Sequence, residues 1–405
     1  MFTLKSFILP FLLSFFIYME YIELTNYFIN TVIGLFSIYL LLVVNKKELF
    51  FVGTVVGILW FWWLGYSFVY YDLLYLIPII IFGVAFLYGI LFYCLGLVNN
   101  LIYKVIYLFL LTFIEPFSFN WFKIELLFIN SYLGTSKYEF LALLFTTALL
   151  VYLKSMNKFK LTYFQYIFVV GVLVFINYNK PNSINNNNLK IYLQETHLDQ
   201  DKKWNVIYRD NIISKNIENI DLAIKNHYDM IIFPETSYPL ILNHNTEIYN
   251  LLLSKSNDIS IVLGSLFQKD GMYYNSTYFF NRRKVSVAHK VVLVPFGEAV
   301  PLPAKIRDLI NDMFYDGAKD YETAKSPTTF EIEGMKFRNA ICYEATTDKI
   351  YENLDTKYVI SISNNAWFVP SIQPTLQRLL LKYYAKKYGL IIYNVTNKSK
   401  SGIIQ

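Results

Sequence analysis

Glu235, Lys290 and Cys342 are residues of the three types that together make a protein nucleophile work: a base, a cation and a thiol. The thiolate is the reactive form of cysteine, and an ordinary pKa near ~8.5 leaves little of it at neutral pH, so a nearby base or cation has to raise the fraction. Glu235 would accept the thiol proton as general base, and Lys290 would favour the thiolate and the negative charge that develops on a carbonyl under attack. The main-chain N–H of Tyr343 would join Lys290 as an oxyanion donor. A lone strand cysteine is commonly a small core hydrophobe, and charges at strand ends are commonly solvated. The joint pattern argues for a site, because the runs 230–235, 289–298 and 339–344 each set a charged or reactive residue against apolar sequence, and two of them carry a proline that stops regular structure there.

The elements that must position these residues follow from the pattern around them. Apolar runs bounded by turn residues predict strands over 189–194, 230–234, 259–267, 272–281 and 285–294, then a Glu333-Gly334 hairpin into the Cys342 strand, and further strands over 357–363 and 390–396. Helices are predicted over 205–227, 246–256 and 374–388. This alternation describes a mixed α/β sandwich, a class in which reactive residues sit at strand ends where loops converge.

The first half of the chain is different. The whole chain's 405 residues are enough for two domains, and its content of 55% hydrophobic and 19% aromatic residues, with the excess in the first 180, is too apolar for an ordinary soluble protein. Apolar stretches at about 4–22, 27–44, 49–71, 73–98, 101–119, 138–153 and 160–178 approach the ~20 residues a helix needs to cross a bilayer, so a membrane domain of about seven helices is predicted over 1–180. Glu20 interrupts the first stretch, and Lys5 with a short apolar core has the look of a signal peptide. No small-residue cleavage site follows, which favours a retained span. Trp60, Trp62, Trp63, Tyr66, Tyr70 and Tyr71 are expected to form an aromatic belt at the outer interface, and Glu115-Pro116 to end the fifth span.

Lysines set the orientation. With the N-terminus inside, the inner loops hold Lys5, Lys46, Lys47, Lys104, Lys154, Lys158 and Lys160, whereas the outer loops hold Lys123 and Lys137. Cytoplasmic loops are the lysine-rich ones, so everything after about residue 180 is expected on the outer face. The net charge of +6 is thus partly a topology signal and gives no reason to invoke nucleic acid, although basic residues could face anionic lipid. The Asn-rich stretch 181–188 reads as a linker to an outer domain over 189–405.

Taken in order, Pro-Glu-Thr at 234–236, Lys290 with Val-Pro-Phe-Gly-Glu at 294–298, Cys-Tyr-Glu at 342–344 and Ser-Asn-Asn-Ala-Trp-Phe at 363–368 resemble the nitrilase (carbon-nitrogen hydrolase) superfamily. Within it the match is closest to the bacterial apolipoprotein N-acyltransferases, by motif over roughly 189–405 and by layout before that. The resemblance implies a polytopic α-helical membrane domain plus an α/β outer domain with the nitrilase-like four-layer α-β-β-α sandwich. It implies Glu235, Lys290 and Cys342 as the catalytic set, with Glu298 and Glu344 holding Lys290 or orienting the incoming amine, and Trp204 near the active-site arm.

The implied reaction moves an acyl chain from a phospholipid to Cys342 and then to the α-amino group of a diacylglyceryl-apolipoprotein. Its implied setting is the periplasmic side of an inner membrane, with the protein a monomer. Asn365 stands where the family pattern has Asp, and Arg378 where a His is common. Typical members also continue past the position of Gln405 into more strand and a final membrane helix, so either this branch is short or the sequence is truncated.

Cys94 and Cys342 are the two cysteines, which leaves no disulfide framework and makes an outer thiol a liability unless it is used. His197, His227, His244 and His289 show no metal-ligand spacing, and no glycine-rich phosphate loop occurs, so no metal or cofactor is expected. A membrane-tethered nitrilase-type amidase would use the same three residues, but a soluble amide needs no such anchor. A non-catalytic polytopic ligand sensor would have no reason to retain all three.

Overall fold

The computed structural model describes residues 3–155, 189–314 and 320–405, and the chain divides into two compact units, Met1–Asn182 with Pro370–Tyr383 and Ser183–Val369 with Tyr384–Gln405. Six apolar segments of the first unit are helices: α1 (Leu4–Tyr21), α2 (Tyr27–Val43), α3 (Lys46–Phe61), α4 (Leu76–Leu97), α5 (Leu101–Leu111) and α6 (Lys137–Ser155). Asn26, Asn45 and Asn100 start α2, α3 and α5 by accepting a first-turn N–H on the side-chain oxygen, which satisfies a donor the helix itself cannot. Among the described residues five stretches are long and apolar enough to cross a bilayer, α3 gaining its length from the 3-10 segment Trp62–Tyr71. The chain is a multi-pass membrane protein. The stretch expected to span at 160–178 and the linker at 181–188 lie outside the described residues.

Small residues set the closest helix contact. Gly53 and Gly57 lie one turn apart on α3, and a Cβ on either would strike α4, at Phe92 for Gly53 and at the main chain of Ala85 for Gly57. In lipid, where apolar burial no longer drives association, close backbone approach of this kind is what holds helices together.

The expected aromatic belt is corrected here. Trp60 and Trp63 are buried at 1% and 2% exposure, packed at a tilt against Phe122 and Trp121 with centroid separations of 5.0 and 5.2 Å, while Tyr70 and Tyr71 are exposed. Trp63 can afford an interior site because its indole N–H donates to the Trp60 carbonyl at 2.7 Å. The fifth helix stops at Leu111, before Glu115-Pro116, and Glu115 pairs with Lys123 at 3.6 Å. Glu20, the charge within the first stretch, accepts hydrogen bonds from Thr25 and Asn130.

The second unit is built on two sheets. In the first, β1 (Ile191–Leu193), β2 (Met230–Ile232), β4 (Ser260–Lys269), β5 (Met272–Asn281) and β6 (Lys284–His289) lie in that order, with β3 (Tyr238–Ile241) beside β4. The second has the order β11-β10-β9-β8-β7, with β7 (Thr329–Ile332), β8 (Met335–Ile341), β9 (Tyr358–Asn364), β10 (Ile391–Asn397) and β11 (Gly402–Ile404). Strand side chains alternate between faces, and the inward set of both sheets, including Ile232, Val262, Phe279, Ile341, Ile360 and Val395, forms one core. The other face of the first sheet packs on α7 (Val206–Lys225) and α8 (Thr246–Lys255) through Ile220, Leu252, Ile261 and Tyr278. On the second sheet the alternate residues Val359 and Ile392 are buried as well. Helix α10 (Gln373–Tyr388) follows α9 (Ala304–Phe314) in the chain, and its Tyr384 and Tyr388 stack on Tyr351.

The strand expected over 285–294 ends at His289. Beyond it the main chain turns to side-chain acceptors: Val291 and Val292 donate to Glu344, and Val294 to Glu298. Strand β3, helix α9 and strand β11 had no counterpart in the sequence reading.

Candidate active site

Each of the three candidate residues lies just past a strand of a closed core. Glu235 is three residues beyond β2, Lys290 one beyond β6 and Cys342 one beyond β8. Two of these turns use left-handed backbone at residues other than glycine, Thr236 with φ 48° and Cys342 with φ 55°. Such conformations cost about 1–2 kcal/mol each and persist where surrounding structure imposes them. Gly264 on β4 makes room for the first turn, since a Cβ there would meet the Thr236 nitrogen and stand 2.7 Å from the Cα of Glu235.

Lys290 is wholly buried, with its Nζ 2.7 Å from Glu298 Oε2 and 3.7 Å from Glu235 Oε1. Burial pulls its ammonium down, but Glu298 and Glu235 outweigh this and hold it above the ordinary lysine value, so Lys290 is a permanent cation. The Asn275 amide bridges the two carboxylates, donating to Glu235 Oε1 at 2.7 Å and to Glu298 Oε1 at 3.0 Å. The other Glu235 oxygen accepts the Asn364 N–H at 2.8 Å.

Burial and the charge of Glu235 push the Cys342 thiol up to about 12, while Lys290 opposes them. The Cys342 thiol is therefore neutral at rest, and any reaction through its sulfur would need a proton acceptor nearby. The arrangement suits a concerted transfer with Glu235 as acceptor.

Glu344 and Glu298 divide the supporting work. Glu298 makes the ion pair with Lys290, whereas Glu344 accepts main-chain N–H groups from Ile341 at 2.7 Å, Val291 at 2.6 Å and Val292 at 3.1 Å. One carboxylate thus fastens the Cys342 turn to the loop after Lys290. Burial pushes Glu344 up to about 7 against the pull of Lys290 and these N–H donors. The Tyr343 side chain is buried next to the thiol in sequence, and Trp204 closes the helical turn Gln200–Lys203 at 37% exposure, so it is not a core residue.

The sequence reading missed the amides and the second lysine of this site. Asn364 is the first Asn of the Ser-Asn-Asn-Ala-Trp motif and was within reach; its side chain donates to Gln200 and accepts from Asn397. Asn275 and Lys203 carry no signal in linear order, because their partner Glu235 is distant in the chain.

Comparison with known proteins fits this architecture at both ends. Residues 1–177 match the apolipoprotein N-acyltransferase integral membrane domain, and residues 208–399 match the carbon-nitrogen hydrolase domain. An apolipoprotein N-acyltransferase of Wolinella succinogenes is 39% identical over 394 residues, spanning 97% of this chain and 93% of that protein. This chain belongs to the apolipoprotein N-acyltransferase family. Another apolipoprotein N-acyltransferase, from Helicobacter hepaticus, is 37% identical over 382 residues, covering 92% of this chain and 93% of that one. A CN-hydrolase superfamily protein from Xanthomonas campestris aligns in structure over 54% of this chain and 83% of its own at 13% identity, with a TM-score of 0.41. The apolipoprotein N-acyltransferase resemblance read from four short motifs thus extends over nearly the whole chain.

Proposed function

We propose that this acyltransferase moves an acyl chain from a membrane phospholipid to the α-amino group of the diacylglyceryl-cysteine of an apolipoprotein, through a thioester on Cys342. The observation that carries this reading is the wholly buried Lys290 set between Glu235 and Glu298 beside the thiol turn. In the first step the Cys342 proton passes to Glu235 as sulfur bonds to the ester carbonyl carbon. The resulting oxyanion faces Lys290 and the Tyr343 N–H. The C–O bond then breaks, and the departing alkoxide takes the proton back from Glu235 as lysophospholipid leaves. In the second step the α-amine attacks the thioester, Glu235 takes an amine proton, the C–S bond breaks and the thiolate recovers that proton. Loss of one oxyanion donor is worth about 3 kcal/mol of barrier.

The lysine asymmetry supports a periplasmic catalytic domain on an inner membrane, where both substrates are confined to the bilayer surface. The enzyme works as a monomer in this reading. Incubation with phospholipid and no acceptor should leave an acyl chain on Cys342 that neutral hydroxylamine removes, and Cys342→Ala should abolish it. A diacylglyceryl peptide with a free amine should discharge the adduct, and an N-blocked peptide should not. Turnover by Cys342→Ala defeats the proposal; an adduct cleared as fast by water as by amine points to amide hydrolysis instead.

A further inference from the structure

Lys203 is buried at 1% exposure, and its Nζ donates to the main-chain carbonyl of Glu235 at 2.8 Å. One hydrogen bond to a neutral carbonyl does not offset taking an ammonium out of water, and an apolar side chain would pack there without that penalty. The charges beside it account for its presence. Burial pulls Lys203 down to about 7, and what opposes this is Glu235 and Cys342, the titratable groups that face it.

The charge count of the site runs the same way. Lys290 is paired with Glu298, so Glu235 contributes a surplus negative charge before the reaction starts. Moving the thiol proton to Glu235 relocates that surplus onto sulfur and then onto the carbonyl oxygen without removing it. Glu344, the remaining carboxylate, is engaged by three main-chain N–H groups. A second buried ammonium beside Glu235 and Cys342 neutralises the surplus while it is protonated, and those two groups are what favour its proton.

Resting on the assignment of Glu235 and Cys342 above, we propose that Lys203 is a positioning residue for acyl transfer: it fastens the Glu235 turn through its carbonyl and supplies the second positive charge of the site. The turn that delivers it also delivers Trp204, and Gln200 of the same turn accepts from Asn364, whose N–H holds Glu235. The 200–203 turn is thereby tied to Glu235 twice, through its main-chain carbonyl by Lys203 and through Asn364 by Gln200.

The test uses the full-length protein in phospholipid vesicles and compares Lys203→Met, which removes donor and charge, with Lys203→Gln, which keeps a donor. The rate of Cys342 alkylation by iodoacetamide, read on the Cys342 peptide by mass spectrometry, should shift to higher pH in both variants by about one unit, a tenfold slower reaction at a fixed pH below the midpoint. Formation of the acyl adduct should slow at least about tenfold in both, with the KM for phospholipid little changed. An unshifted alkylation profile overturns the proposal whatever the rate does, and so does full rescue of both readouts by Gln, which would make Lys203 a peg without an electrostatic role. Survival of turnover in Cys342→Ala would instead overturn the assignment on which this inference stands.

Discussion

Glu298 Oε2 lies 2.7 Å from Lys290 Nζ, a full ångström closer than Glu235 Oε1 at 3.7 Å. The two carboxylates share one cation unequally, and the difference assigns them different work. Glu298 is committed to the tight ion pair, whereas Glu235 is held by the Asn275 amide and the Asn364 N–H and is the proton acceptor of the proposed reaction. Neutralising Glu298 should release Lys290 toward Glu235 and blunt the base. Glu298→Gln is expected to slow acyl-Cys342 formation at least about tenfold, or ~1.4 kcal/mol, in a quenched single-turnover assay. An unchanged rate would leave Glu298 with a loop-bracing role only.

Glu344 makes a prediction about pH. Burial pushes its carboxyl up to about 7 in the folded protein from an ordinary value of 4.5. Between those values the folded state binds more protons than the unfolded one, so this group's contribution to stability falls as pH rises from about 4.5 to about 7 and stays lower above that. The fall is worth about 3 kcal/mol for a shift of this size. Glu344→Gln cannot titrate, so its unfolding midpoint should lack that component of the pH slope, even though the amide offers one oxygen fewer to three N–H donors. Parallel slopes in the two proteins would contradict the account.

Asn365 departs from the family pattern, and its surroundings explain why the departure is tolerable. Its side-chain amide donates to the Ser399 hydroxyl at 2.8 Å. A hydroxyl can turn to donate where it had accepted, so Asn365→Asp keeps that contact. Acyl transfer should stay within about tenfold of the parent. A larger change would make charge at 365 part of the mechanism.

Orientation is tested independently of chemistry. A reporter active only outside the cytoplasm, fused near residue 185, should be active, because an inside N-terminus would put seven lysines in inner loops against two in outer ones. Activity from a cytoplasm-only reporter at that site would defeat the periplasmic assignment and with it the lipoprotein substrate.

What the sequence could and could not reveal follows from how far each interaction reaches along the chain. Strands β4, β5, β8, β9 and β10 were legible because alternation and apolar runs are local signals, and the positions of Glu235, Lys290 and Cys342 came with them. The strand expected to 294 stopped at His289 because Glu344, more than fifty residues away, captures the Val291 and Val292 N–H groups that a ladder would need. Trp60 and Trp63 looked like interface anchors by composition, but Phe122 and Trp121, from a distant loop, cover them. Lys203 and Asn275 were invisible for the same reason, since each acquires its meaning from Glu235 in the folded chain.

The linked amides Gln200, Asn364 and Asn397 also fix when in its own synthesis the enzyme can become reactive. Asn364 supplies the donor for Glu235 Oε2, and Asn397 holds the Asn364 side chain. Cys342, at its left-handed turn, also packs against core residues of β9 and β10, which are translated after it. A ribosome partway through the message therefore carries Glu235, Lys290 and Cys342 without the main-chain donor that holds the second Glu235 oxygen. If acyl transfer runs through Cys342 as proposed, chains stalled before Asn364 should form no acyl-Cys342, whereas chains released after β10 should.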